Sequence, residues 1–209
     1  MRASYNTDMA ATILPPVTTE DGLYRLSAEK YDEMVASGAL GPDDPVELLD
    51  GLLFEKMPQE GPHTITILNL TRWLDRRCGD THTVRGQMPI LLRGNNRPEP
   101  DIAVVPGEPD DYPRQPSGEQ VVLAVEVADK APARVLRIKR ATYAQSGVQE
   151  FWIIDVKRRR VEMLREPGEE GYQAVTILAE TEPFAPLFLP GQTLRGSDIL
   201  PRAKPGADV

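Results

Sequence analysis

The sequence predicts a mixed α/β fold in which two helices pack on one central sheet. Three observations predict it. Two helix-like segments bracket three apolar strand-like runs, a fourth such run follows the second helix, and these runs show little polar alternation. In order, residues 62–156 give helix, three strands, helix, strand. Strands without alternation are those covered on both faces, so helices lying on the sheet are the expected cover.

Each element has its own signal. Residues 1–20 are polar, proline-containing and aperiodic and read as a flexible lead-in; PRAKPGADV (201–209) reads as a flexible tail. Residues 21–200 remain for a single domain. Ser27 precedes AEKYDEMVASG with Gly38 behind, the pattern of a capped short helix. VELLDGLLFEKM reads as a hairpin, because Asp50-Gly51 is a favoured two-residue turn between apolar runs. In HTITILNLTRWLDRRC, Ile65, Leu68, Leu70, Trp73 and Leu74 recur near a helical period, which predicts a helix from about Pro62 to Cys78. HTVRGQMPILL, DIAVV and VVLAVEV follow as strands. GEPDDYPRQPSGE (107–119), between the last two, reads as a mobile surface loop. A second helix runs from about Ala133 to Ser146, ended by Gly147. FWIIDV, RVEMLRE and YQAVTIL are further strands.

Composition sets the class. At 209 residues the chain suits one sizeable domain, and 40% hydrophobic with 27% charged residues describes a soluble globular protein. The lone Cys78 excludes an internal disulfide framework and fits a reducing compartment. No apolar run approaches the ~20 residues of a membrane span, and MAATIL before Pro15-Pro16 is too short for a signal-peptide core. A cytoplasmic location is expected. The net charge of −8 argues against a nucleic-acid partner until it is divided. From Lys130 to Arg165 ten basic residues face three acids, giving +7 and leaving −15 for the rest. Such asymmetry points to an anionic partner; a solvated helix face and a charged turn at KRRR would also produce it.

The chemistry centres on Pro98–Asp155. Asp101 opens an apolar strand at the sheet's rim, where strand ends and loops form sites. Glu126 interrupts VVLAVEVAD, and a carboxylate inside a buried strand must be paired or bound to metal. A salt bridge to an arginine of the helix 133–146 and metal ligation both satisfy that requirement. Lys139 has Val135, Leu136 and Tyr143 as helical neighbours, so its stem lies on the sheet-facing side. Its head either snorkels to solvent or meets an anion. Glu47, in the apolar run before Asp50-Gly51, and His63, at the head of the first long helix, flank the set. His63 could exchange a proton near neutral pH or simply cap its helix. No Cys/His metal spacing, nucleophile elbow or glycine-rich phosphate loop is present. Two carboxylates and a cation are the minimum parts for holding Mg²⁺ and a water against a phosphodiester.

In order, VELLDGLL, His63, QMPILL, PEPDIAVV, LAVEVAD, K-R-A-T-Y, GVQEFWIIDV and FAPLFLPGQTL resemble the Uma-type restriction endonuclease family. These are small bacterial proteins of the PD-(D/E)XK nuclease superfamily. The resemblance covers about Leu26 to Leu200. It implies a restriction-endonuclease-like αβββαβ core with a mixed central sheet and extra N- and C-terminal strands. It makes Asp101 the acid of the PD motif and Glu126 the acid of the (D/E)XK motif. Ala128 stands where the motif lysine is usual, and the family supplies a lysine from the next helix, four residues before a tyrosine, as Lys139 and Tyr143 are spaced. Glu47 and His63 match positions that line the same cleft, and Gln87 a polar position on the first core strand. Asp129 and Val135 depart from the serine and aspartate common in the family.

The expected activity is therefore Mg²⁺-dependent DNA endonuclease chemistry, with Mn²⁺ as a substitute ion. Asp101, Glu126 and the carbonyl of Val127 would hold the ion, and Lys139 would position a water or neutralise developing charge. Glu47 would hold a second ion or bridging water, His63 would act secondarily, and the basic stretch 130–165 would contact DNA phosphates. The rival reading is a nuclease-fold binding or interaction protein with weak or lost catalysis, assembling as a homodimer. A hydrolase of small phosphate esters is the third.

Overall fold

The computed structural model describes residues 22–41, 43–56, 60–128 and 132–202. The lead-in 1–20, most of the predicted tail and Asp129 lie outside them. Pro201 does not, and its carbonyl accepts a hydrogen bond from Arg159 Nη1 at 3.0 Å.

Helix α1 (Ala28–Ala36) starts where the Ser27 side chain accepts the Lys30 N–H at 3.1 Å. Strands β1 (Val46–Leu49) and β2 (Leu52–Glu55) form the predicted hairpin. Asp50 and Gly51 have φ of 50° and 74°. Both central residues being positive is the geometry whose twist matches paired strands. Helix α2 (Gly61–Cys78) buries Thr66, Leu70, Leu74 and Cys78 along one stripe.

The main sheet begins with β3 (His82–Gly86), β4 (Ile102–Pro106) and β5 (Leu123–Ala128). Helix α3 (Ala133–Gln145) then crosses to β6 (Glu150–Asp155), followed by β7 (Arg160–Gly168) and β8 (Gly171–Ala179). The strands lie in chain order, antiparallel throughout except for the parallel pair β5–β6 that α3 connects. The C-terminal strands that the resemblance implies include two short ones that pair with each other, β9 (Pro183–Phe184) and β10 (Leu194–Arg195), before α4 (Gly196–Ile199).

The sheet separates two apolar cores. Along β5, Val125 and Val127 face the α2 side with Leu70, Leu74 and Trp152, whereas Ala124 faces the α3 side with Tyr143 and Phe151. Covering on both faces is why these strands read as unbroken apolar runs. The helix–three strands–helix–strand order predicted for 62–156 is the order found.

One segment differs from its sequence reading, and the predicted loop carries local structure of its own. HTVRGQMPILL is strand only to Gly86; Gln87 turns at φ 51°, and Pro89 has no N–H for a ladder. The loop 107–119 contains two 3₁₀ turns, each closed by a side chain, with Asp111 accepting the Glu108 N–H and Gln120 the Ser117 N–H, both at 2.9 Å. Gly118 seats against Ser146, where an added Cβ would come within 2.5 Å of the carbonyl oxygen. Among the described residues no helix is long and apolar enough to cross a membrane.

Candidate active site

Side-chain alternation aims Glu126 of β5 at the α3 face, since Ala124 on that face is two residues away. Ile102 pairs with Val125 in the antiparallel register, so Asp101, one residue before β4, lies across from Glu126. Asp101 is fixed there by the Val127 N–H, which donates to its Oδ2 at 2.8 Å. His63, in the first turn of α2, brings Nε2 to 3.3 Å from the same oxygen.

Lys139 supplies the third element. It is 3% exposed, and its Nζ lies 2.9 Å from Glu126 Oε1 and 2.9 Å from Glu47 Oε1. One helical turn later, Tyr143 Oη donates to Glu126 Oε1 at 2.9 Å. Glu47 reaches the cluster from the β1–β2 hairpin and is itself held by the Glu99 N–H, which donates to Oε2 at 3.1 Å. The Lys56 ammonium pairs with the Glu99 carboxylate at 2.6 Å beside it. Of the two pairings open to Glu126 from sequence, an arginine of α3 is not the partner. The cation is Lys139, and Arg140 turns away to a bidentate pair with Glu162, both bonds at 2.6 Å.

The electrostatics follow from this crowding. Burial pushes the Glu126 carboxyl up to about 8; the Lys139 charge opposes that, while Asp101 and Glu47 reinforce it. Burial works against the Lys139 charge, but Glu126 and Glu47 overcome it and raise its pKa above the usual lysine range. Tyr143 is raised well above the ordinary phenol value by burial and then by the same two acids. Glu126 and Glu47 thus share one lysine, Asp101 adds to the repulsion on Glu126, and acids outnumber basic groups in the cluster.

That imbalance bears on a metal. Among the described residues no three His, Cys, Asp or Glu side chains are grouped to hold an ion. Mg²⁺ asks less, because it commonly binds one or two carboxylates and keeps several waters. The bonds to Asp101 fall on Oδ2 and those to Glu126 on Oε1. Among the described residues, Asp101 Oδ1 and Glu126 Oε2 accept no hydrogen bond, and hard oxygens of this kind suit such a cation. The residues therefore fit a two-carboxylate site better than a complete protein cage.

Sequence reasoning brought Asp101, Glu126, Lys139, Glu47 and His63 forward, and the fold gathers them at one end of β4 and β5. The resemblance put Gln87 on the first core strand, but it is exposed one residue past β3, where its positive φ ends the strand, and it donates its N–H to the Asp101 carbonyl at 3.2 Å. Sequence reasoning did not find Glu99 and Lys56. Glu99 holds Glu47 through its backbone N–H, which carries no residue-type signal. Much of the basic stretch proves internally paired: Arg140 with Glu162, Arg158 and Arg160 with Asp155, and Arg165 with Glu150.

An αβββαβ core with acids at the ends of adjacent central strands and a buried lysine on the connecting helix defines the restriction-endonuclease-like class of folds. The chain belongs to the Uma2 family, described as "Putative restriction endonuclease", whose sequence model matches residues 28–197. Its fold is similar to the crystal structure of a protein from Anabaena variabilis ATCC 29413, described as a "putative nuclease belonging to DUF820". The TM-score is 0.67 at 14% identity, over 83% of this chain and 97% of that one. No curated protein matches the sequence.

Proposed function

We propose that this protein is a Mg²⁺-dependent endonuclease hydrolysing DNA phosphodiester bonds, with Mn²⁺ able to substitute. The observation that supports it most is the buried Lys139 ammonium held 2.9 Å from both Glu126 and Glu47, with Asp101 across the strand pair from Glu126. Asp101 and Glu126, with the Val127 carbonyl, would hold the ion. When bound, Mg²⁺ supplies a Lewis acid for the phosphoryl group and lowers the pKa of a water.

The remaining work belongs to the chain. Lys139 is fixed by two carboxylates and needs little reorganisation to orient a nucleophilic water or meet charge developing on phosphate. Glu47 also holds Lys139, at 2.9 Å, and is the residue for a second ion or a bridging water. Tyr143 fixes the Glu126 carboxylate, leaving Oε2 turned to other partners. His63, within reach of Asp101 Oδ2, orients that acid and is a secondary proton carrier. Exposed arginines of the basic stretch, such as Arg134 and Arg137, would contact backbone phosphates.

The test is nicking or linearisation of supercoiled plasmid with Mg²⁺ or Mn²⁺, comparing wild type with Lys139→Ala. Cleavage by wild type alone is expected. Identical behaviour of the two proteins would refute the enzymatic reading and leave a nuclease fold used for binding.

A further inference from the structure

A second polar site lies on the other flank of α3. A cleft of about 210 Å³ opens between the N-terminal half of α3, the ends of β5 and β6, and the β6–β7 turn. Ala128 at its rim lies two residues beyond Glu126 on the same face of β5. Arg140, on its wall, follows Lys139 in α3, and successive helix residues are turned by about 100°. The two sites are therefore neighbours separated by the helix.

The charge of this cleft runs opposite to that of the chain. Among the described residues, Arg140, Lys157, Arg158 and Arg160 line it together with Asp155 and Glu162, so basic side chains outnumber acidic ones there in a protein of net −8. Glu162 is fully used by the bidentate Arg140. Asp155 is divided between two guanidiniums: Arg158 Nη1 lies 3.0 Å from Oδ2 and Arg160 Nε 3.5 Å from the same oxygen. The Arg158 backbone N–H holds Asp155 Oδ1 at 2.8 Å, and each guanidinium meets the acid through one nitrogen and keeps further N–H donors for a second acceptor. Leu136 and Ile153 give the cleft an apolar floor, which lowers the local dielectric and strengthens attraction to an anion. Its volume is below the ~300–1,000 Å³ typical of sites for drug-sized ligands. It suits a single phosphate group.

We propose that this cleft is a phosphate-binding subsite, in which Arg158 and Arg160 grip an oxyanion that Arg140 and Lys157 attract. The phosphate can be one of a nucleic-acid strand or a free ion. The strand version rests on the proposed nuclease function; oxyanion binding itself does not.

The test compares wild type, Arg158→Gln/Arg160→Gln, and Arg76→Gln on α2 as a control for bulk charge. Binding of a labelled single-stranded oligonucleotide is read by fluorescence anisotropy with chelator present, and binding of inorganic phosphate by calorimetry. Thermal melting confirms that each variant folds. The double variant should bind oligonucleotide about tenfold more weakly, with a salt slope lower by about 1 to 2, while the control is unchanged. If inorganic phosphate binds and the double variant alone loses it, the occupant is a free ion and the site stands. If neither ligand distinguishes the double variant from wild type, the subsite is refuted. Lys139→Ala should lose plasmid cleavage at every protein concentration, whereas the double variant should lose it only at concentrations too low to saturate the DNA, which keeps the two questions separate. A wild type that never cleaves defeats only the nuclease reading, because the phosphate arm still reports on the cleft.

Discussion

Two buried glutamates on neighbouring strands solve the same problem in opposite ways. Glu150 of β6 is fully buried and saturated with donors: Oε1 accepts Trp152 Nε1 at 2.9 Å and Arg165 Nε at 2.7 Å, and Oε2 accepts the Leu187 N–H at 2.8 Å. Its arginine serves no other carboxylate among the described residues and also donates to the Ala185 carbonyl at 2.6 Å. Glu126 of β5 has one oxygen satisfied, and its lysine is shared with Glu47. Burial of a carboxylate is thus no sign of function by itself. The balance of donors around it separates a structural tie from a carboxylate with an acceptor to spare.

The largest expected effect lies on the saturated side. Arg165→Met leaves Glu150 buried without a cation and should cost about 3–5 kcal/mol, lowering the melting temperature by roughly 6–20 °C for a chain of this size. A loss below about 1 kcal/mol in thermal or urea unfolding would show that Trp152 and Leu187 satisfy the acid unaided. Lys139→Met should behave differently. Glu126, already raised to about 8, can take up a proton, so the stability loss should stay near 1–3 kcal/mol. Plasmid cleavage should fall about 10²–10³-fold. Equal destabilisation of the two variants with cleavage intact would erase the contrast.

A smaller effect follows from the sign of the Glu126 shift. A carboxyl raised from about 4.5 to about 8 contributes stability present below the lower value and lost as pH rises through the upper one. In chelator, the melting temperature of wild type should decline from pH 5 to 8 relative to Glu126→Gln. Parallel curves would mean that the acid surplus is not felt.

The same contrast explains what was legible in the sequence. Glu126 stood out because a charge broke an apolar run, and Lys139 because its helical neighbours were apolar; both are one-dimensional signals. Glu150 opens its strand, in GVQEFWIID, where a charge breaks no run, so its burial under the β9–β10 segment left no local trace. The pairing of Lys139 with Glu47 joins residues 92 positions apart and depends on the hairpin docking, which no periodicity encodes. The early end of the strand at Gly86 was overridden by backbone geometry: apolar residues resume at Ile90, but Pro89 and the positive φ of Gln87 had already ended the ladder.

The hairpin is where the acid-surplus site is most vulnerable, because Glu47 belongs to β1 while Glu126 and Lys139 belong to the main α/β core. Its turn depends on Gly51, at φ 74°, where an added Cβ would lie 2.7 Å from the Arg25 Cβ. Left-handed backbone costs a residue with a Cβ about 1–2 kcal/mol, and the close contact must shift the turn or residue 25. Gly51→Ala should therefore lower the melting temperature by roughly 2–8 °C. If Glu47 is what holds Lys139 against Glu126, cleavage at a temperature where the variant is fully folded should also fall, by several-fold. The Glu150 cluster lies outside the hairpin and should keep its native Trp152 fluorescence. Cleavage unchanged in a folded variant with a lowered melting point would mean that Lys139 is positioned by Glu126 and Tyr143 without the hairpin's acid.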